Sequence, residues 1–253
     1  MFSSPITPDP PVQERSTLAA HPATLTVSQA LQSRHSVRAY LPTPVSAGTV
    51  GRLLDLAARS ASNSNSQPWE VHVVTGEVKT ALTRAVLAAH DDGRRVERRE
   101  YDYQPEPNEW TEPYKGRRGA FGDQLYRSAL GIEPDDTPAR LAHHRRNYEF
   151  FDAPVGLFLT VSRTARAGAL VDAGMFLQAL MLGARGEGLD TCPQASWIDF
   201  FPVLREHLDI KADQVIVCGL SLGYADHHHP ANRVVTDRAP ASSWVTMHDG
   251  VAD

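Results

Sequence analysis

The sequence predicts one domain built from helices and strands together. Its 253 residues, 42% of them hydrophobic, suffice for one large core, and single cores run to about 250 residues. Val50, Leu53, Leu54 and Ala57 recur at helical spacing. The run from Val155 to Val161 and the Val/Ile-rich run from Gln214 to Leu220 read as buried strands. No repeat and no boundary between two cores interrupts the chain.

Composition excludes several classes. With 25 Lys+Arg against 30 Asp+Glu, net charge −5, there is no basic excess to drive phosphate-backbone binding, so a nucleic-acid partner is not expected. Two cysteines, Cys192 and Cys218, exclude a disulfide scaffold and suit a reducing cytosol. No apolar run approaches the roughly 20 residues of a membrane span. The start, MFSSPITPDPPVQERS, has neither the basic nor the apolar region of a signal peptide. A cytoplasmic protein away from the membrane is expected.

Residues 1–24 are rich in Pro, Ser and Thr and read as a disordered or surface-lying tail. From Thr26 the spacing Thr-Val-Ser-Gln29 is that of a capping box, which opens a helix to about Ser33. After Pro42 and Pro44 a second helix starts near Ser46. Trp69–Val74 reads as a strand and is followed by a helix over about Val78–His90. Residues 93–150 carry dense charge, then aromatics and prolines, and read as an insert of helices and loops that walls a site. From Leu170 to Arg185 the chain is apolar almost all round, so this helix is expected to be the most buried. Gly186 and Gly188 end it. A short helix over 199–208 precedes the last core strand. Residues 224–253 lack periodicity and read as an arm.

Four stretches have chemical potential. In Arg34-His-Ser-Val-Arg38, two planar guanidinium donors and a hydroxyl suit a phosphate monoester; equally, arginine is favoured at any helix C-terminus. Ser60-Ala-Ser-Asn-Ser-Asn-Ser-Gln-Pro-Trp69 sets Asn63, Asn65 and Gln67 where they can read a polar heterocycle, although ordinary loops favour the same residues. In Gly188-Leu-Asp-Thr-Cys-Pro-Gln-Ala-Ser196, Cys192 lacks the His and acid of a nucleophile and reads as a structural cysteine. A turn after Pro193 leaves the N–H groups of Ala195 and Ser196 free to donate. The fourth stretch holds Gly219–Gly223 and Asn232–Pro240, with neither GxGxxG nor a P-loop, so a nicotinamide-binding Rossmann domain is not supported. His227-His228-His229 and His143-His144 read as ordinary side chains rather than metal ligands, so no metal is expected.

In order and spacing, Arg34-His-Ser-Val-Arg38, Ser-x-Asn-Ser-Gln-Pro-Trp69, Gly-Leu-Asp-Thr-Cys-Pro193 and Arg238-Ala-Pro240 resemble the FMN-dependent nitroreductase family over about residues 26–245. The stretch from Pro113-Tyr114 through Asn147–Phe151 to Cys192-Pro-Gln194 is similar to its nitrobenzene- and nitrobenzoate-reductase branch. The resemblance implies an α+β fold: a mixed, largely antiparallel sheet between helices. It also implies an intertwined homodimer that exchanges its C-terminal arms and shares two FMN molecules across the interface. By position it assigns Arg34, Ser36 and Arg38, with the His35 backbone, to the phosphate and pyrimidine, and Arg238 to the phosphate. Ser62, Asn63 and Asn65 would approach the flavin from the other subunit, supported by Gln67. Pro193 and Gln194 would lie at the ring, with Ala195 and Ser196 donating to N5 and O4. Two positions depart from the pattern: Thr236 stands where some relatives have lysine, and Ala61 where a proline is common.

The implied activity is NAD(P)H-driven, ping-pong two-electron reduction of a nitroaromatic or quinone, with no side-chain catalyst because the flavin carries the chemistry. A flavin oxidase or dehydrogenase, a reductive dehalogenase, and a non-catalytic flavin-binding module are the alternatives. Trp110, Tyr114, Phe121 and Tyr126 are the candidate substrate-stacking residues of the insert; the other reading is that they only cement it.

Overall fold

The computed structural model describes residues 25–248. The tail at 1–24 and the last five residues of the arm lie outside them. The described chain forms helices α1 (Val27–Ser33), α2 (Ala47–Ala57), α3 (Gly76–Asp91), α4 (Tyr114–Gly122), α5 (Thr137–Arg145), α6 (Gly168–Gly186) and α7 (Phe201–Leu208). Its strands are β1 (Trp69–Val74), β2 (Val155–Ser162), β3 (Asp190–Gln194) and β4 (Gln214–Gly223).

The strands form one sheet in the order β1-β2-β4-β3, each neighbour antiparallel. A parallel bridge from Ser36 to Thr191 extends the β3 edge, giving the mixed, largely antiparallel sheet expected. Alternation along β2 sends Leu157, Leu159 and Val161 to one face, against α2 and α6, and Phe158 to the other, with Val74, Trp197 and Leu204. Helices thus cover both faces of the sheet, and the core lies in two layers. At β4 the register shifts between Leu159 and Thr160, leaving Val217 without a counterpart on β2. The Tyr101 hydroxyl donates to the Val217 carbonyl at 2.6 Å.

The predicted starts hold at both early helices. Thr26 and Gln29 close a reciprocal capping box before α1, and the Ser46 hydroxyl accepts from Thr49 N–H before α2. The strand expected over Trp69–Val74 is β1 itself.

Two elements differ from expectation. Helix α6 is not buried all round: Val171 and Met175, one turn apart, are 66% and 38% exposed. Apolar periodicity cannot say whether a stripe is covered by its own chain. Strand β3 is not foreshadowed by its residues, because Asp-Thr-Cys-Pro-Gln has neither alternation nor β-branched density; as an edge strand it tolerates Pro193, which has no N–H to give.

Two strand glycines make room for rings. A Cβ on Gly156 would overlap the Phe150 ring, and one on Gly219 the Trp197 ring. These rings stack at 4.6 Å between centroids. The chain reaches that packing through three successive left-handed residues, Phe150, Phe151 and Asp152, with φ of 54°, 53° and 70°. The insert is tied down by two buried carboxylates. Asp199 takes Arg95 and Arg99, and Glu100 takes Arg163, Arg205 and the Ile216 N–H.

Candidate functional site

Helix α1 stops because Arg34 turns extended, with ψ of 124°. The chain then runs along β3, with Val37 N–H donating to the Thr191 carbonyl. Val37 and Ala39 are buried, so the alternate residues Arg34, Ser36 and Arg38 take the opposite side. Asn232 fixes this segment from the arm: Oδ1 accepts from Arg38 N–H at 2.6 Å, and Nδ2 donates to the Ala39 and Asp226 carbonyls at 2.8 Å each.

Charge accumulates here without compensation. Burial, and then the positive charge of Arg238, lower the Arg34 pKa. Among the described residues no carboxylate forms an ion pair with Arg34, Arg38 or Arg238. Arg238 is held by its own backbone neighbours and by Thr236, whose hydroxyl and carbonyl both accept from it. Close by, His35 Nε2, Thr191 Oγ1 and Ser196 Oγ are buried with no partner. Such groups are costly to leave unpaired. Clustered cations beside unpaired polar atoms fit the phosphate and polar ring edge of a flavin mononucleotide. Cys192 is a free, buried thiol in the same cluster; burial raises its pKa, against the opposing pull of Arg38, Ser36 and Arg34, which leaves it a thiol rather than a nucleophilic thiolate.

Next to this cluster, β3 ends at Gln194, and Ala195 and Ser196 open a 3-10 turn through Phe200. As its first residues they have N–H groups with no partner inside the turn. The Gln194 side chain is already engaged: it donates to the Asn147 carbonyl at 2.7 Å and accepts from the Ser221 hydroxyl at 2.8 Å.

The polar loop lies elsewhere. Ser62, Asn63, Asn65 and Gln67 surround a 3-10 turn over Asn63–Asn65. Ser64, Asn65 and Gln67 are left-handed, with φ of 51°, 58° and 46°. Internal bonds hold them: Gln67 N–H donates to Ser62 Oγ, and Gln67 Nε2 to the Asn65 carbonyl. The Asp172 carboxylate on α6 anchors the turn by accepting from Asn63 N–H at 3.3 Å. The basic half meets the same helix at its far end, where Arg185 donates to Ser33 Oγ and pairs with Asp190. Thirteen residues of helix separate Asp172 from Arg185, about 20 Å at 1.5 Å per residue. The two anchor points on one chain therefore lie about 20 Å apart along α6.

The insert aromatics divide similarly. Phe121 lies under the Arg38 guanidinium at 5.1 Å and so touches the basic half. Tyr126 sits beneath Arg140 at 4.2 Å and edge-on to His143. Both belong to a small apolar cluster with Leu125, Ala231 and Val234. Trp110 and Tyr114 instead carry Arg118 and Arg117 at 5.2 and 6.0 Å; Tyr114 is exposed, while the Trp110 indole nitrogen is buried without a partner.

Asn232 and Asp172 are the residues that sequence reasoning missed. Asp172 left a signal, an acid inside an otherwise apolar helix. Asn232 left none, since its partners Arg38 and Ala39 are 194 and 193 residues away.

Comparison with known proteins bears on this arrangement. The model of the nitroreductase family matches residues 31–224. The chain is 50% identical to a 4-nitrobenzoate reductase of Nocardioides sp. (strain LMS-CY), over 91% of this chain and 93% of that one. Its fold superposes with a TM-score of 0.85 on an FMN- and NADPH-dependent nitroreductase, NfnB, of Sphigopyxis sp. strain HMH, at 37% identity and covering 89% of this chain and all of that one. The NfnB of Mycobacterium smegmatis in complex with NADPH gives a TM-score of 0.81 at 30% identity, covering 87% and 97%.

Proposed function

This chain belongs to the nitroreductase family, and on that basis we propose that it is an FMN-dependent NAD(P)H oxidoreductase that reduces nitroaromatic compounds by a ping-pong route. The observation that carries the reading is the uncompensated trio of Arg34, Arg38 and Arg238 beside unpaired buried polar atoms, in a chain half identical to a 4-nitrobenzoate reductase. When bound, FMN supplies two-electron transfer through N5, accepting from the nicotinamide and then donating to the nitroarene.

The protein's part is binding, orientation and polarisation. Arg34 and Arg238 neutralise the phosphate through charge-assisted hydrogen bonds. Arg38, fixed by Asn232 and backed by Phe121, presents its guanidinium toward the ring's polar edge. Pro193 offers a flat apolar surface to one face. The Ala195 and Ser196 N–H groups stabilise negative charge that develops on the reduced ring.

The reading includes a homodimer. Asp172, which anchors the Ser62–Asn65 loop, stands about 20 Å along α6 from Arg185, which anchors the Arg34 end, so in this reading a second copy brings Ser62, Asn63 and Asn65 to the ring. The exposed Val171 and Met175 on α6 and Trp244 and Met247 on the arm supply apolar surface for that contact.

The test is anaerobic mixing of FMN-loaded protein with NADPH and then with 4-nitrobenzoate. Bleaching of the visible flavin band, followed by its return, is expected. A band that neither NADPH nor NADH bleaches would overturn the reading in favour of an oxidase or a non-catalytic flavin protein.

A further inference from the structure

Between the end of α4 and the arm lies a cavity of about 300 Å³ that the cofactor site does not use, at the lower end of the usual range for small-molecule sites. Helix α4 continues into it as a π-helical turn over Asp123–Ala129, a distortion frequent at functional sites. Its walls are of two kinds. Ala129, Pro230 and Val234 form an apolar side, while Gln124, Ser128 and Arg233 supply an amide, a hydroxyl and a guanidinium. Gln124 Oε1 is buried and has no partner.

Arg233 lines this cavity and is exposed, and like Arg34, Arg38, Arg98 and Arg238 it has no carboxylate partner among the described residues. In the insert, Arg127, Arg145 and Arg146 are neutralised by Asp123, Asp91 and Asp152, and Arg117, Arg118 and Arg140 lie over aromatic rings. Arg233 donates only to the His228 carbonyl, at 3.2 Å, and among the described residues forms no ion pair. An exposed cation without a carboxylate partner, lining a cavity that also has an apolar side, suits an aromatic carboxylate. The chain links the cavity to the cofactor half. Asn232, next to Arg233, holds Arg38, and Phe121, one turn before Leu125, carries the Arg38 guanidinium.

The geometry points to this cavity as a subsite that selects acceptors with a carboxylate on the ring, with Arg233 and Ser128 binding that carboxylate. The assignment rests on the nitroreductase reading above for the acceptor's identity, but not for the existence of the anion site. A nitrobenzoate is therefore preferred over a neutral nitroarene by an interaction remote from the reacting nitro group. Gln124 accepts from the carboxyl's neighbouring water or ring substituent, or turns its amide to donate to the carboxylate itself.

The experiment compares FMN-loaded wild type with Arg233→Gln and Arg233→Lys in two ways. The first is the ratio of kcat/KM for 4-nitrobenzoate to that for nitrobenzene; the second is calorimetric binding of benzoate, which is not reduced. Arg233→Gln is expected to lower the ratio roughly ten- to a hundredfold, the usual worth of one charge-assisted hydrogen bond. It should weaken benzoate by a similar factor, with Arg233→Lys recovering part of both. An unchanged ratio together with unchanged benzoate affinity overturns the subsite. If wild type reduces neither nitroarene, the reductase reading fails by itself; benzoate binding that Arg233→Gln abolishes then still supports the anion site, and benzoate binding indifferent to residue 233 rejects it.

Discussion

Arg238 shows how a single side chain can be poised without being buried. Its guanidinium is exposed, steadied by Thr236 and by backbone carbonyls, and close enough to Arg34 to lower that residue's pKa. Removing it as Arg238→Ala deletes one charged phosphate contact and should weaken FMN binding by about 1.5–3 kcal/mol, read by fluorescence titration; unaltered affinity would remove Arg238 from the cofactor site. His143 makes a different prediction. Burial first, then Arg146, Arg38, His229 and His144, lower its pKa to about 4. The unfolded chain therefore takes up its proton near the ordinary value of about 6.5, while the folded chain waits until about 4. Its contribution to stability is complete above about 6.5 and is lost as pH falls toward 4, by at most roughly 3 kcal/mol. Across that window the wild-type denaturant midpoint should fall relative to that of His143→Leu as pH falls.

At the scale of elements, packing against rings governs the two central strands. Gly156 and Gly219 leave space that Phe150 and Trp197 fill. Gly219→Val drives a branched side chain into the Trp197 indole and should destabilise the fold by about 1–3 kcal/mol or more, the range for an overpacked core. A reduced urea midpoint with an unchanged m-value is the expected record. The arm holds the Arg38–Ala39 segment in place through Asn232, which makes three hydrogen bonds, to the Arg38 N–H and to the Ala39 and Asp226 carbonyls. Asn232→Leu leaves the Arg38 N–H unpaired, at a cost of about 1–3 kcal/mol, while the Ala39 and Asp226 carbonyls keep the Asp226 and His229 N–H groups. It should weaken FMN binding along with stability, whereas Arg238→Ala should weaken FMN binding with stability nearly unchanged. Denaturation of the cofactor-free protein separates the two.

For the whole molecule, α6 is the axis on which the two halves of the site are spaced. Asp172 anchors the polar loop near one end and Arg185 docks α1 at the other, so in the homodimer proposed above one helix from each copy would set the geometry of the shared site. The exposed Val171 and Met175 on that helix should lie in the contact between copies. Val171→Asp places a charge there, and sedimentation should show monomers with FMN affinity reduced; a dimer that tolerates the charge would put the contact elsewhere. No helix of the described residues is long and apolar enough to cross a membrane.

Local features were the ones legible in the residues alone. Capping at Thr26 and Ser46, the strand periods of 69–74 and 155–161, and the spaced Arg-His-Ser, Asn-Ser-Gln-Pro-Trp and Arg-Ala-Pro stretches could be read because each depends on residues within a few positions of one another. Packing settled the rest. Strand β3 exists because β4 offers it a partner, and Gln194 is occupied because Asn147 and Ser221 reach it from other elements. The outer stripe of α6 is left open because no part of the described chain covers it. Asn232 meets Arg38 and Ala39 only because the arm packs against that segment. Contacts at a separation of nearly two hundred residues leave no period in a sequence; they arise from packing, and packing is what folding adds.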